Sequence, residues 1–316
     1  MGEKDLTEKI LEDYNDIFAD IVNVLLFDGK KEVDEHMLYN MTVHSQYKDD
    51  KEMLHEQERD VAKYWKNGNL EIAMFGIENQ SKAEKRMPVR VFGYEGASYR
   101  GQYNKKNIAP VITLVLYFGT ESRWREPKNL KSLINIPEGL GEYVNDIRIN
   151  VFEIAWLSKE QINKFTSDFK IVANFFVNKR RNKNYVPDDK TTFRHVDEVL
   201  KLLSVMTGDN RYEQILADKK GVKNMCDVAQ RLEDRGMQRG IQEGMQRGIQ
   251  KGMQRGIQKG MQRGIQEGMQ RGINIIYSLV QDGLISPETG ADRLGISVKK
   301  LKANMMNTGY QYPDGK

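Results

Sequence analysis

The chain has one cysteine, Cys226, among its 316 residues. No internal disulfide can form, and a reducing, cytoplasmic setting is the default expectation. Cys226 is followed by Asp227 and has no nearby histidine to activate it, so it reads as a small buried or half-buried thiol. Histidine is scarce as well: His36, His44, His55 and His195 form no metal-ligand spacing. No apolar run approaches the roughly twenty residues needed to cross a bilayer. The opening MGEKDLTEKI is acidic and helical in character, unlike a signal peptide.

The sequence is 39% hydrophobic, enough for a globular core beside a sizeable polar segment. Its net charge of +4 is unevenly placed. Between Gly236 and Ile273 stand Arg239, Arg247, Arg255, Arg263, Arg271, Lys251 and Lys259 against Glu243 and Glu267, a balance of seven minus two, or +5. The rest of the chain therefore sums to −1, and the basic character belongs to that tract alone.

Apolar residues at helical spacing predict an amphipathic helix from Asp5 to Phe27, ended by Asp28-Gly29. A polar, irregular stretch is expected to run from there to Glu58. RDVAKYWKNGNLEIAMFGIENQ then predicts two strands about Asn67-Gly68, a strong hairpin signal. Pro88 suits a helix start, and VRVFGYEGASYRGQY reads as that helix. PVITLVLYFG predicts a fully buried strand and INVFEIAWL another. Lys159–Asn182, Thr192–Met206 and Arg211–Asp234 read as helices. The order predicts an α/β core with a helical extension.

The hairpin is where chemistry can sit. Register decides whether Asp60 meets Glu78 and Gln80. A plain two-residue turn puts Asp60 opposite Phe75 and points the other two away. A bulged, three-residue turn puts it opposite Gly76, with all three on one face. The bulged register also gathers Ala62 and Tyr64 with Leu70, Ile72 and Met74, and sends Lys63, Trp65 and Glu71 to the other face, so it is preferred. Two carboxylates converging at a strand end make a hard-oxygen site suited to Mg²⁺. Gln80 can orient a water or a phosphate oxygen but cannot donate a proton as lysine does. The plain alternative is a pair of solvated charges.

IFADIVNVLLFDGK, ERDVAKYWKNG, IAMFGIENQ, MPVRVFGYEGASYRGQY and PVITLVLYFG, in this order, resemble the Rpn family of recombination-promoting nucleases, also described as transposases, within the PD-(D/E)XK nuclease superfamily. The likeness covers residues 10 to 160 and extends loosely through the helices behind. It implies a restriction-endonuclease-like core, a mixed sheet flanked by helices, and metal-dependent phosphodiester hydrolysis. Carried onto this sequence, the catalytic residues are Asp60, Glu78 and Gln80. The metal ligands are Asp60 and Glu78 with the backbone carbonyl of Asn79. Asp20 is the candidate for an acidic residue added from the first helix. Gln80 stands where the wider superfamily has lysine, and Arg59 where it has proline. Arg90, Tyr94, Tyr99 and Gln102 are candidates to face DNA, with packing as the alternative. His44 and His55 could approach DNA, although plain surface positions suit them better.

In the tract GMQRGIQE/K a glycine recurs every four residues. Each glycine in a helix costs roughly 1 kcal/mol relative to alanine, so the ten here oppose an isolated helix by roughly 10 kcal/mol. Methionine and isoleucine beside the glycines offer an apolar stripe that advances about 40° per repeat. A partner would have to wind around it in a right-handed sense. Self-association leading to a homo-oligomer, a passive spacer and a basic DNA-contacting arm all remain open. A helix from Met225 to Asp282 would reach about 87 Å. Beyond it, Ser286 and Ser297 are fitting caps for two short helices, the second carrying Lys299, Lys300 and Lys302. This resembles a helix-turn-helix unit whose basic helix could contact DNA, or a small capping module.

The expected parts are a nuclease-like core over 1–160, a helical extension over 161–234, a repeat over 235–274 and a terminal helical unit over 275–316. The expected activity is a cytoplasmic, Mg²⁺-dependent DNA endonuclease linked to recombination, mobile elements or defence. The alternative is an inactive, nuclease-derived DNA-binding or scaffolding protein working through its tail.

Overall fold

The structure, a computed structural model, describes residues 10–41, 44–48, 54–58, 60–217 and 220–313, with side chains outside the description over 42–59. The chain divides into two compact units, Met1–Arg235 and Gly236–Lys316.

The first unit is a mixed α/β fold. Its strands are β1 (Leu38–Asn40), β2 (His44–Lys48), β3 (Leu54–Glu58), β4 (Val61–Asn67), β5 (Leu70–Gln80), β6 (Val111–Tyr117) and β7 (Asn150–Glu153). Five of them make one sheet in the order β1-β4-β5-β6-β7, and β2 pairs with β3 alone. The β1–β4 and β4–β5 pairs are antiparallel; β5–β6 and β6–β7 are parallel. Helices α1 (Asn15–Phe27), α2 (Met87–Arg100), α3 (Lys159–Lys164), α4 (Phe169–Arg181), α5 (Val196–Thr207) and α6 (Arg211–Ala217) complete it. A mixed sheet flanked by helices is the class expected.

β6 shows why the sheet is covered on both faces. Its unbroken apolar run sends Leu114 and Leu116 into a core cluster with α1, α4 and α5, and Val115 and Tyr117 into a second cluster with Met87 and Val91 of α2. Phe118, Phe169 and Phe176 are fully buried in the larger cluster, each contributing roughly 1.5–3 kcal/mol by leaving water.

Several boundaries differ from expectation. The first helix is broken: a 3-10 turn spans Leu11–Asp13, Tyr14 is extended, and α1 starts at Asn15. Its end is as expected, with Asp28 and Gly29 both left-handed. The stretch to Glu58 is not irregular but holds β1, β2 and β3. The strand at INVFEIAWL stops at Glu153, where a 3-10 turn begins. The helix expected over Lys159–Asn182 is two helices, α3 and α4, because Phe165 turns extended between them. The one expected over Arg211–Asp234 is α6 followed by the start of α7 (Met225–Gln281).

The hairpin carries a bulge, though not at its turn. Trp65 pairs with Ala73 and Lys66 with Glu71, so Ile72 is passed over. The turn is Gly68-Asn69, with Gly68 at φ +59°. Val61 pairs with Ile77, which brings Asp60, one residue earlier, level with Glu78 rather than Gly76. The offset is two residues, one full pleat, so the facing survives: Ala62 and Tyr64 lie with Met74, and Lys63 and Trp65 point to the other side. Leu70 and Glu71 are corrections. The bulge moves Leu70, paired with Asn67, to the Lys63 and Trp65 side, and turns Glu71 to the Tyr64 side, where Lys66 and Lys105 pair with it at 3.2 and 2.5 Å. Lys63 is fully buried beneath the sheet; its Nζ donates to the Asp13 carbonyl at 2.8 Å and to Asn40 Oδ1 at 2.6 Å.

In the second unit the glycine tract lies within α7, with Met and Ile side chains from Met237 to Met269 each 51–67% exposed. α8 (Pro287–Arg293) and α9 (Val298–Asn307) follow, capped by Ser286 and Ser297 as expected. Tyr277, Val280, Ala291, Leu301 and Met305 form a small core there.

Candidate active site

The site is assembled from three short pieces. Asp60 precedes β4, Glu78 and Gln80 sit at the carboxyl end of β5, and Glu12 lies in the 3-10 turn before α1. Antiparallel pairing brings the start of β4 to the end of β5, and Asp60 Oδ2 accepts the Asn79 backbone N–H at 2.7 Å. The 3-10 turn is held by the Ile10 N–H, which donates to Asp13 Oδ2 at 2.9 Å. Tyr14 then ties this segment to α5 by donating to Glu198 at 2.7 Å.

Asp60 is open to solvent on one side and crowded by protein on the other. That crowding pushes its carboxyl above the usual range, against the Asn79 N–H and the charge of Arg90, which pull it down. Glu78 is 2% exposed. Burial, then the charge of Asp60, pushes it up to about 7 despite Arg90. Glu12 is wholly buried, and burial likewise raises it to about 7, with Asp60 adding to the rise and the Asn79 side chain opposing it. Neither oxygen of Glu12, nor Oε2 of Glu78, nor Oδ1 of Asn79 has a hydrogen-bond partner. Glu78 Oε1 is satisfied by Arg90 and, at 3.2 Å, by Gln80 Nε2. Arg90 also donates to Glu84 at 2.9 Å and to the Tyr94 hydroxyl at 3.1 Å. Burial first, and then the charge of Glu78, raises the Tyr94 phenol.

The structure brings Asp60, Glu78, Asn79, Gln80 and Arg90 together. Asp20 is not part of this group. Its carboxylate accepts from the N–H and hydroxyl of both Thr166 and Ser167, at 2.6–3.1 Å, and so braces the segment entering α4. Glu12 is the acid that reaches Asp60, and sequence reasoning missed it, since the helix predicted over Asp5–Phe27 concealed the turn that aims it. Gln102 is another correction: it is buried, with both ends of its amide paired to the Ala109 backbone, and cannot face DNA. Tyr99 is part-exposed, and its hydroxyl accepts from the Val111 N–H at 3.0 Å. Lys299 and Lys300 are exposed on α9, while Lys302 Nζ sits 4.8 Å from the Tyr312 ring centre. The side chains of His44 and His55 lie outside the described residues.

Among the described residues, no group of three or more His, Cys, Asp or Glu side chains is arranged to hold a metal ion. Fewer ligands suffice for a hard divalent ion that keeps its waters. The unpartnered Oε2 of Glu78 beside Asp60 fits such an ion, since a cation would satisfy an acceptor that now has no donor. No helix among the described residues is long and apolar enough to cross a membrane.

No curated protein and no solved structure matched the chain. A family model did, over a segment that starts at Trp65, takes in Glu78–Gln80, α2, β6 and α4, and ends within α5; Glu12 and Asp60 lie outside it. That family points to a mobile-element-related role with DNA as the partner. The resemblance read from the sequence therefore holds over residues 65–203, which match the family described as "Putative transposase, YhgA-like".

Proposed function

We propose that the chain is a Mg²⁺-dependent DNA endonuclease, acting inside the cell in recombination, mobile-element movement or defence. The observation that carries this reading is that Asp60 lies near enough to both Glu78 and Glu12 to raise each carboxyl, with one oxygen of Glu78 and both of Glu12 left unpartnered. Buried acids in such proximity repel one another, and either protons or a cation must compensate. Asp60 and Glu78 would hold the ion, with the Asn79 backbone carbonyl, and Glu12 takes the supporting place expected of Asp20. When bound, such an ion lowers the pKa of a water and stabilises charge on the phosphate. Gln80, already aimed at Glu78, positions a water or a phosphate oxygen. Arg90 favours the ionised form of Glu78 against the burial that raises it, and brings a cation beside the place where the scissile phosphate would lie.

The repeat is proposed to join two or more copies, so that both strands of a duplex can be cut. Nine Met and Ile side chains exposed along one helix are the support for it. Plasmid cleavage with Mg²⁺ by wild type, Asp60→Ala and Glu78→Ala tests the catalytic assignment; equal cleavage by all three would end it.

A second reading is an inactive, nuclease-derived DNA-binding or scaffolding protein. It is favoured by the lack of a three-ligand cluster among the described residues. DNA binding by wild type with no cleavage in any divalent ion would select it.

A further inference from the structure

Outside the glycine tract the chain sums to −1, but that charge is unevenly spread. Between Ser81 and Ile108 seven lysines and arginines stand against Glu84 and Glu95, a balance of seven minus two, or +5. Everything else outside the tract therefore sums to −6. The basic segment is α2 with its two flanks.

Both of its acids are engaged. Glu84 accepts from Arg90 at 2.9 Å, and Glu95 accepts the Thr113 N–H of β6 at 3.1 Å. Among the cations, Arg90 is held by Glu78 and Glu84, and Lys105 by Glu71. Lys85, Arg86, Arg100 and Lys106 are exposed, and none of them has a carboxylate partner among the described residues.

One face of α2 is buried, with Met87 and Val91 packed on the sheet. On the other side Arg86, Val89, Phe92, Gly96 and Arg100 recur at intervals of three and four residues, so they share one outward face. Val89 and Phe92 are 47% and 45% exposed. A Cβ added at Gly96 meets nothing within 4 Å beyond its neighbours and the adjoining helix backbone. The middle of the face is therefore shallow and uncharged, and its ends are basic. Arg86 and Arg100 stand about 21 Å apart along the helix axis. That is about six base pairs of duplex at 3.4 Å each.

The charged ends decide what can cover this face. A second copy laid antiparallel would bring Arg86 against Arg100, and one laid parallel would set each against itself. Like charges meet in both arrangements, and such juxtaposition opposes association. A polyanion satisfies both ends at once.

We propose that duplex DNA docks on the outer face of α2, beside the candidate active site. Arg86 and Arg100 hold phosphates at the two ends, and the bare backbone at Gly96 lets the sugar–phosphate chain come close between them. Arg90, on the edge of the same helix, meets Glu78, so a duplex held along α2 lies next to the candidate site. These contacts reach phosphates rather than base edges, and binding is independent of sequence. The proposal rests on the reading of DNA as the substrate, but binding tests it without cleavage.

The experiment is binding of a short fluorescent duplex to the full chain in EDTA across a range of salt. Removing one cation that neutralises a phosphate should reduce the slope of log affinity against log salt by about 0.9, with roughly tenfold weaker binding near 0.1 M salt. Arg86→Ala and Arg100→Ala are each expected to show that reduction. Lys159→Ala, at an exposed position on α3, which packs into the other core cluster, should keep the wild-type slope. Gly96→Gln has room in the protein and favours the helix, so it should fold; it should weaken binding several-fold with the slope kept, by holding the DNA away. Unchanged slopes in both arginine variants, an equal loss in Lys159→Ala, or full binding by Gly96→Gln would overturn the docking face. A lower sedimenting mass in the arginine variants with DNA binding unchanged would give the face to a second copy instead. Cleavage by Asp60→Ala and Glu78→Ala decides the nuclease reading separately, so the two failures are told apart.

Discussion

Glu12 has both carboxylate oxygens buried and unpaired, next to a second acid. Its folded pKa, about 7 against an ordinary 4.5, means that the folded chain binds a proton that the unfolded chain has released. The stability from that proton is fully present below pH 4.5 and is lost as pH rises through 7. Glu12→Gln should remove this dependence and raise metal-free stability at pH 8 by roughly 3 kcal/mol, seen by urea unfolding in EDTA. The same substitution should weaken the rise in melting temperature that Mg²⁺ gives to wild type. Because protons compete for Glu12 and Glu78, cleavage should fall as pH drops below 7. Asp20→Ala separates bracing from chemistry: it should cost roughly 2–4 kcal/mol in unfolding, with per-molecule cleavage kept where the variant is folded. Asp60, Glu78 and Gln80 were legible as candidates through the family resemblance; alternation along the strand said only that they could share a face. Glu12 was not, since its aim depends on a break in a helix that local apolar spacing does not mark.

At the scale of elements, the hairpin was legible and its register was not. Asn67-Gly68 marked the turn region, but which residues pair depends on the bulge at Ile72, and that is decided by packing. Trp65 stacks on Phe75 with ring centres 6.0 Å apart, while Lys66 and Glu71 pair on the far face. In α7, a Cβ added at any tract glycine meets nothing within 4 Å beyond its neighbours and the adjoining helix backbone. Changing Gly244, Gly252 and Gly260 to alanine should therefore raise helicity, by roughly 1 kcal/mol of helix stability per site. If copies pack backbone to backbone, the same triple variant should lose self-association. Circular dichroism and sedimentation read the two effects separately. A more helical variant with unchanged mass would show that glycine is not needed for assembly.

For the whole molecule, the two units invite separation. Ending the chain after Asp234 keeps Met225 and Val228, which are buried in the core of the first unit. The truncated protein should fold and nick plasmid in the presence of Mg²⁺. It should lose oligomers by sedimentation, and with them paired cuts on opposite strands. An unchanged mass would remove the association role of residues 236–273.

Sequence alone determined the α/β core, the capped terminal helices and the basic repeat, because each is written in local spacing, turn chemistry or charge, while the mixed sheet and the candidate residues at the end of β5 came through the family resemblance. Tertiary structure alone decided that Glu12 rather than Asp20 meets Asp60, and that Gln102 is buried. Those outcomes depend on side chains distant in sequence sharing one dry space, where desolvation and repulsion, not local preference, set the arrangement.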